Sequence, residues 1–492
     1  MPELIEQLLQ EIGPGKMSNV AYDTAWVARL GDIDWELSSQ ALDWLVEHQL
    51  QDGSWGAQEP FYYHDRVIST LAAMIALTHR GRRAHDKEQI ERGLLALERI
   101  TSGATQGLRL DPNGATIGFE MIAPTLVAEA EKLGIIKQQG ESILKRLSKE
   151  RSQKLSRIQG KLITRDTTMA FSTEMAGVDE QHIIDVENLQ ESNGSSGNSP
   201  SATAYIALYV KPHDPSALDY LHKTMGKDGG FPNLSPFDAF EISWTLWNLH
   251  FTSNLTIGPR IKSLLNLLAN SWQPGRGIGF AINYSVKDSD MTSVVFDTLL
   301  QYGYKKDIES IFAYEEQEYF QCFPLEMNPS ISANIHVLGA LRQAGIGREH
   351  PSIQKLVRFL KQNKGSNHYW LDKWHSSPYY TTGHAIIAAA GYDDDLVRDS
   401  VKWIISSQQS NGSWGTYIST AEETAYALQA LSIWSQKSGK IEPKVIRKGI
   451  RWLQEHSEGP YQPLWIGKCL YAPNLVIRSA VLSAIQLAKE IL

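Results

Sequence analysis

The segment Gln49-Leu50-Gln51-Asp52-Gly53-Ser54-Trp55-Gly56 indicates the fold, because a similar segment, Gln408-Gln409-Ser410-Asn411-Gly412-Ser413-Trp414-Gly415, recurs late in the chain. Each copy ends an amphipathic helical pattern with glutamines and a glycine–aromatic turn. A degenerate copy lies at Lys227-Asp228-Gly229-Gly230-Phe231. Repeated helix pairs bury their apolar faces only by stacking on neighbours. The repeats therefore predict an all-α fold of helical barrels.

Composition and charge argue against several classes of protein. A chain of 492 residues with 42% hydrophobic and 21% charged content predicts a globular protein of two or three domains. The net charge of −8, without a lysine or arginine block, argues against nucleic acid or an anionic membrane as the main partner. Cys322 and Cys469 are the only cysteines, which fits a cytoplasmic location. The chain has no basic signal-peptide segment and no apolar run long enough to cross a membrane.

The stretch Asp288-Ser289-Asp290-Met291-Thr292-Ser293 places two carboxyl groups beside a hydroxyl pair. An ordinary aspartic acid ionises near pH 4, but a buried one stays neutral and can donate a proton at pH 7. In an aromatic-rich helical container, such an acid suits the protonation of an alkene. Alternatively, Asp288 or Ser289 caps a helix whose first turn contains Asp290. The hexapeptide alone leaves both interpretations open.

Two polar stretches interrupt the helical periodicity. Glu191–Pro200 is predicted by its composition to be a polar loop or a lid. The stretch Lys145–Arg165 is the most basic part of the chain, and we expect it to form a solvated helix face.

Ordered motifs over nearly the whole chain resemble the class II diterpene cyclases, the family of copalyl diphosphate synthases. The resemblance implies two α-helical double-barrel domains, called β and γ, with the active site between them. We expect β to comprise residues 1–20 and 256–492, and γ to be inserted at 21–255. The motifs are Ser18–Ala28, Gln49–Gly56, His64–Leu71, Gly118–Glu120, Ser199–Ala204, Gly229–Asn233, the Asp288 motif, Tyr319–Phe323 and Trp465–Tyr471.

The activity implied by the resemblance is protonation-initiated polycyclisation of a C20 geranylgeranyl polyene. The polyene is carried either on a diphosphate or, with equal weight, on an aromatic acid, which would make the product a meroterpenoid. Two other classes remain: a zinc-dependent prenyltransferase-like barrel, which would need clustered Asp, Cys and His ligands, and a noncatalytic helical toroid that binds protein.

Three catalytic residues follow from the resemblance. Asp290 corresponds to the family's proton donor, and Asp288 belongs to the same motif. Met291 replaces the motif's last aspartate, and its thioether cannot hold a proton, so support for Asp290 must come from elsewhere. His336 is predicted to supply it, because an N–H donated to one carboxyl oxygen would stabilise the carboxylate left after proton transfer.

The head group and the terminating base are less well defined. Lys154 and Lys468 align with family lysines near the diphosphate. Phe171 replaces the family's deprotonating histidine, although its partner Asn233 is kept. The stretch Arg109–Asn113 has one carboxylate where relatives have an acidic cluster, which is a poor site for a divalent ion. We therefore assign no metal ligands and expect Mg²⁺ only if the substrate is a diphosphate.

Aromatic side chains are expected to face the migrating cation, because cation–π attraction contributes about 0.5–2 kcal/mol each. An isoprenoid small molecule is the expected partner, and an apolar mouth would be compatible with peripheral membrane contact. The sequence does not determine the oligomeric state. The aromatic candidates for substrate binding are Phe171, Trp244, Tyr319, Phe320, Phe323 and Trp370, with Trp374 and Tyr380 also considered.

Overall fold

The computed structural model describes residues 2–81, 83–110, 115–137, 141–157, 162–252, 257–324 and 326–492. Short antiparallel pairs join β1 (Asn19–Val20) to β2 (Phe231–Pro232) and β3 (Trp465–Ile466) to β4 (Leu470–Tyr471). The helices are α1 Pro2–Glu11, α2 Ala21–Ala28, α3 Trp35–Glu47, α4 Tyr63–Arg80, α5 Ala84–Leu110, α6 Phe119–Lys132, α7 Glu141–Arg157, α8 Pro200–Tyr205, α9 Pro215–Thr224, α10 Asp238–Leu249, α11 Pro259–Ser271, α12 Ser289–Gln301, α13 Glu309–Phe312, α14 Ile331–Gln343, α15 Pro351–Gln362, α16 Pro378–Ala389, α17 Asp394–Ser406, α18 Ala421–Lys437, α19 Pro443–Glu455 and α20 Asn474–Glu490. Single-turn or irregular helical segments span Thr168–Ala176, Gln181–Ile183, Val186–Asn188 and Ile206–Val210.

Two closed rings of helices organise the chain. In one barrel, α2, α4, α6, the 3-10 segment Thr168–Ala176 and α8 contact one another in that order, and α8 returns to α2. In the other, α10, α12, α14, α16, α18 and α20 form the inner ring, and α11, α15, α17 and α19 pack on its outside. The predicted all-α class with helical barrels is confirmed. We call these the first and second barrels.

The ring contacts change the predicted boundary between the barrels. Helix α10 lies inside the range 21–255 that the sequence analysis assigns to the inserted domain, yet it packs between α20 and α12 of the second barrel. The boundary therefore lies before Asp238. Helix α1 packs on α11 and α20, which both belong to the second barrel. Helical periodicity cannot reveal which of two rings a helix closes.

Four of the six inner helices of the second barrel begin at side-chain caps. Asp288, Ser330, Ser377 and Thr420 precede α12, α14, α16 and α18, and each accepts a hydrogen bond from a backbone N–H of the first turn. Such caps satisfy donors that have no partner inside the helix. Because the caps fix where each helix starts, they also fix the height of the side chains in the first turns.

The two repeat turns use the same hydrogen bonds. The backbone N–H of Trp55 donates to Oγ1 of Thr70, and that of Trp414 donates to Oγ1 of Thr424, each at 3.0 Å. Each indole N–H also donates to a carbonyl of the preceding outer helix. The turn therefore ties an outer helix to the following inner helix, α4 or α18, and explains why the repeat predicted barrels.

The segment Glu191–Pro200 is a further turn of this kind and not an exposed lid. Nε2 of Gln190 donates to the carbonyl of Gly194 at 2.8 Å, and the N–H of Ser196 donates to Oγ1 of Thr203 at 3.0 Å. Ser195 to Ser199 include several fully buried polar residues. The polar composition reflects this internal hydrogen bonding instead of solvent exposure.

Within the part of the chain that the structure describes, no helix is long and apolar enough to cross a lipid bilayer.

Glycine at the repeat turn is required by a close approach as well as by its backbone angle. Gly412 has φ +98°, and a Cβ there would lie 2.6 Å from the carbonyl oxygen of Lys448. Gly275 has φ +73° but no atom within 4 Å of such a Cβ. We expect Gly412→Ala to lower the melting temperature by about 2–4 °C more than the control Gly275→Ala, because only the former adds a clash with backbone. Equal shifts in thermal unfolding would contradict this account.

Candidate active site

Asp290 lies in the first turn of α12 and keeps 15% of its side chain exposed, so it is not sealed in the core. Nδ1 of His336, in α14, lies 2.5 Å from Oδ1 of Asp290. On the other side of the same ring, Nε2 of His336 lies 3.0 Å from Nδ1 of His384, in α16. Adjacent helices of the ring therefore hold a carboxyl group and two imidazoles in one line. The structure brings together the predicted Asp290 and His336, whose catalytic roles stay predictions.

Asp288 caps the helix that contains Asp290. Its Oδ1 accepts the N–H of Met291 at 2.7 Å. Burial, and after it the negative charge of Asp290, raise the pKa of Asp288 to about 8. Asp288 therefore keeps a proton at neutral pH. The cap and the acid, which the sequence left as alternatives, occur together in this helix. Met291 itself packs in the core.

A cleft of about 1260 Å³ lies between the two barrels. The first barrel contributes residues of α6, α7 and the 3-10 segment, and the second contributes loops that precede α14 and α16. Val286 and Ile331, which shortly precede Asp290 and His336, line the cleft. Asp290 is not a lining residue, so the acid lies beside the cleft and not on its wall.

Cationic side chains from both barrels line this cleft. They are Lys154 and Arg157 of α7 and Lys373 of the loop before α16. Lys373 forms an ion pair with Glu326, and Nη1 of Arg157 donates to the backbone carbonyl of Glu326 at 3.0 Å. Nζ of Lys373 also lies 5.2 Å from the ring centre of Phe323. The cluster bridges the barrels at the cleft.

Lys154 lines the cleft, and its contact with a head group stays a prediction. It forms an ion pair with Glu120 of α6. Burial, followed by the charges of Lys373 and Arg157, lowers the pKa of Lys154 to about 8. Cations that repel one another in this way are close enough to act together on one anion.

The described side chains fit a dedicated metal site poorly. Among them, no group of three or more His, Cys, Asp or Glu residues is arranged to hold an ion. Glu120 is already paired with Lys154, and Asp111, in the predicted one-carboxylate stretch Arg109–Asn113, lies outside the described residues. A Mg²⁺ ion in the cleft would therefore depend on substrate phosphates for most of its oxygen ligands.

Lys468 does not meet the cleft, contrary to the sequence-based expectation. Its ammonium is fully buried, 2.6 Å from Oε1 of Glu174, and donates to the hydroxyls of Ser199 at 2.8 Å and Ser201 at 2.7 Å. An ammonium has three protons, and these partners use them all. No donor is left for a head group.

Asn233 belongs to the same buried network. Its Oδ1 accepts the backbone N–H of Lys468 at 3.1 Å, and its Nδ2 lies 3.5 Å from the carboxylate of Asp23. Burial raises the pKa of Asp23 to about 7. Asn233 thus holds the turn between β3 and β4 and does not line the cleft. Phe171 does line the cleft, with its ring centre 4.5 Å from Nζ of Lys468.

Some of the aromatic candidates surround the acid or the cleft. Phe323 and Trp374 line the cleft. Trp244 lies behind the acid, because its ring stacks on His384 at 5.1 Å and meets the edge of His336 at 5.0 Å. Tyr380 is buried 6.2 Å from the ring of His336.

Other candidates lie away from both places. Tyr319 packs on Phe359 at 5.7 Å between ring centres, and Phe320 is fully buried in the core. The indole N–H of Trp370 donates to the carbonyl of Leu360 at 2.8 Å, as the tryptophans of the repeat turns do. These side chains support the barrel, and none of the three lines the cleft.

The sequence analysis missed His384 and Lys373 and gave Arg157 a different role. His384 is a lone histidine on an apolar helix, the same weak signal that His336 gives. Lys373 precedes the selected Trp374, but one lysine in a loop does not indicate a cleft. Arg157 was expected on a solvated face, and the cleft instead brings it to Lys154 and Lys373.

Comparisons with known proteins agree with this geometry. Residues 325–468 match the model of the squalene-hopene cyclase C-terminal domain. A type B diterpene cyclase of Mycobacterium tuberculosis (strain ATCC 25618 / H37Rv) is 47% identical over 497 aligned positions, covering 99% of each chain. An ent-copalyl diphosphate synthase of Streptomyces sp. (strain KO-3988) is 29% identical and covers 91% of this chain and 88% of its own.

A solved structure extends the comparison to three dimensions. The ent-copalyl diphosphate synthase of Streptomyces platensis superimposes with a TM-score of 0.79 at 27% identity, covering 99% of this chain and 98% of its own. The likeness therefore includes both barrels and is not limited to the second. Given the identity to the diterpene cyclase over the whole chain, the protein belongs to the class II terpene cyclases, enzymes that begin the cyclisation of a polyene by protonating an alkene.

Proposed function

We propose that the protein cyclises geranylgeranyl diphosphate to a bicyclic C20 diphosphate, with Asp290 as the proton donor. The observation that carries the choice of head group is the cluster of Lys154, Arg157 and Lys373 in the cleft. A diphosphate bears about three negative charges and needs several cationic partners in a partly buried site, whereas a single carboxylate needs one. The relatives named ent-copalyl diphosphate synthases support the same substrate class.

The two carboxyl oxygens of Asp290 have different roles in the proposed mechanism. His336 contacts Oδ1 of Asp290, and Oδ2 forms no hydrogen bond with any described residue, so it could present a proton to the terminal alkene. The proton passes from Asp290 to the alkene carbon, and the adjacent carbon becomes a tertiary cation that the next double bonds attack in turn. An N–H donated to Oδ1 stabilises the carboxylate that remains.

Binding in the cleft would lower the entropy cost of ring closure. Its volume of about 1260 Å³ exceeds the roughly 300–1,000 Å³ of common ligand pockets, which leaves room for a folded C20 chain and its head group. When the cleft holds successive double bonds close together, the prenyl chain loses its conformational entropy on binding and not during ring closure. Leu371 and Tyr417, exposed by 46% and 49%, give the cleft an apolar edge through which a prenyl chain can enter.

The final cation cannot be deprotonated at position 171, because this chain has a phenylalanine there in place of a histidine. Phe171 offers a ring face and no base, so a cation beside it is stabilised and not deprotonated there. We propose that the cation rearranges further before it loses a proton.

The prenylated aromatic acid is the alternative outcome of the head-group test. Turnover of the aromatic acid that persists in excess EDTA, with none on the diphosphate, would favour it, since diphosphate chemistry in such a cleft normally relies on Mg²⁺ held by the phosphates. A cytoplasmic location stays part of the proposal; Cys322 and Cys469 are both free and buried.

Asp290→Asn is expected to abolish cyclisation, because an amide keeps the shape of the side chain but is a negligible acid. Asp288→Asn should retain at least about tenfold more activity, since asparagine also caps helices and resembles the protonated carboxyl group. The measurement is product formation from geranylgeranyl diphosphate, with thermal unfolding as the control for folding. If the two variants lose activity equally while both stay folded, the assignment of the donor to Asp290 is wrong.

The pKa of Lys154, about 8, predicts a pH dependence. In the free enzyme its charge is present below this pKa and lost above it, so kcat/KM for the diphosphate should fall as the pH rises above about 8. Lys154→Arg should remove this fall, because a guanidinium stays protonated. A fall of equal size in the Lys154→Arg variant would assign the pH dependence to another group.

Lys373→Gln is expected to raise KM for geranylgeranyl diphosphate by about tenfold or more, because the head group loses a charge-assisted partner. Lys402→Gln is the matched control, since Lys402 is exposed and pairs with Asp399 on the outside of the second barrel. Steady-state kinetics with both variants make the comparison. An unchanged KM in Lys373→Gln would remove this lysine from the head-group site.

A further inference from the structure

His384 is the third side chain in a hydrogen-bonded line that begins with Asp290 and His336. Its Nδ1 lies 3.0 Å from Nε2 of His336, and its ring lies nearly parallel to Trp244, at 18° between planes. The side chain is 2% exposed, and its Nε2 has no hydrogen-bond partner among the described residues. The imidazole is therefore held by one hydrogen bond, to His336, and by ring contacts with Trp244, Trp247, Tyr380 and Tyr426.

The ring of His384 is neutral in the folded protein. Burial, followed by the nearby imidazoles of His336 and His375, lowers the pKa of His384 well below its ordinary value. A neutral imidazole has one N–H, so its position determines what His336 can do. The titratable or charged groups around this ring are Asp290, His336, His375, Tyr380 and Tyr426, with His250, Asp297, Arg342 and Lys437 across a small cavity.

The two tautomers of His384 have opposite effects on Asp290. With the proton on Nδ1, His384 donates to Nε2 of His336, which must then carry its own proton on Nδ1 and donate it to Asp290. With the proton on Nε2, His384 accepts from His336. If Nδ1 of His336 then has no proton, it accepts the proton of Asp290 and draws it away from the alkene. If His336 is instead protonated on both nitrogens, its positive charge favours the ionised form of Asp290.

We propose that His384 is a positioning residue of the acid, whose Nδ1–H holds His336 in the tautomer that donates from Nδ1 to Asp290. The inference rests on the proposed role of Asp290. It is supported by the environment of Nε2: an unpaired N–H at this buried position would cost more than an unpaired lone pair.

Side-chain replacements at position 384 separate the hydrogen bond from packing. His384→Asn puts an amide N–H close to the former Nδ1 and should keep kcat within about threefold of the wild-type value. His384→Leu fills a similar volume without a donor and should lower kcat by about 10²-fold with little change in KM, in the range of a positioned acid–base contribution. His250→Leu is the matched control, since His250 lines the same small cavity without touching the line of residues.

A spectroscopic readout tests the tautomer without any activity. In enzyme labelled with 15N-histidine, the His336 signals, assigned through a His336→Asn variant, should report a protonated Nδ1 and a bare Nε2. They should keep that pattern in His384→Asn and lose it in His384→Leu. A wild-type signal with the proton on Nε2 of His336 would overturn the proposal, as would a His384→Leu variant with wild-type kcat.

The test also distinguishes the inference from the proposed function. If Asp290→Asn stays active, the role of Asp290 fails while the tautomer can still be measured. If Asp290→Asn is inactive but the tautomer of His336 does not respond to His384→Leu, the acid stands and the positioning role is wrong.

Discussion

A buried ammonium is one of several polar groups that join the two barrels. Lys468 sits in the turn between β3 and β4, beside the second barrel, and the partners of its Nζ, Glu174, Ser199 and Ser201, all belong to the first. A buried ion pair adds little net stability over an apolar contact, yet removing one partner costs roughly 3–5 kcal/mol because the other charge is left unpaired. The hairpin is thus held at one position, and with it the wall of the cleft that Ile466 lines.

Fixing the barrels in this way separates the two kinds of charge that the reaction needs. The cations Lys154, Arg157 and Lys373 line the cleft, whereas Asp290 lies beside its inner lining, in the ring of the second barrel. In the proposed reaction, a head group held by the cluster would lie apart from the cation formed at the other end of the prenyl chain. Phe171, on the cleft wall, offers a ring face and no base.

Local patterns in the sequence predicted what depends on local hydrogen bonds. The turns at Trp55 and Trp414 indicated barrels, because each turn is closed by nearby helices. The pairing of Asp290 with His336 also followed, since a known motif located both. Lys468 could not be interpreted in this way: Glu174 is 294 positions away, and an apolar segment suggests a free charge as readily as a paired one. His384 and Lys373 were missed because only the packing of α16 on α14, and of one barrel on the other, gives them a role.

Because Met291 replaces the motif's last aspartate, the groups that support Asp290 come from outside the motif. Met291 is buried in the core and cannot exchange a proton, so the ionisable side chains of the motif are Asp288 and Asp290. The two imidazoles that are hydrogen-bonded in line with Asp290 come from α14 and α16. Acid strength is then a property of how three neighbouring helices pack. A change in the core that shifts α14 by a fraction of an ångström would alter the Asp290–His336 contact, and with it the proton affinity of the acid, without touching either residue.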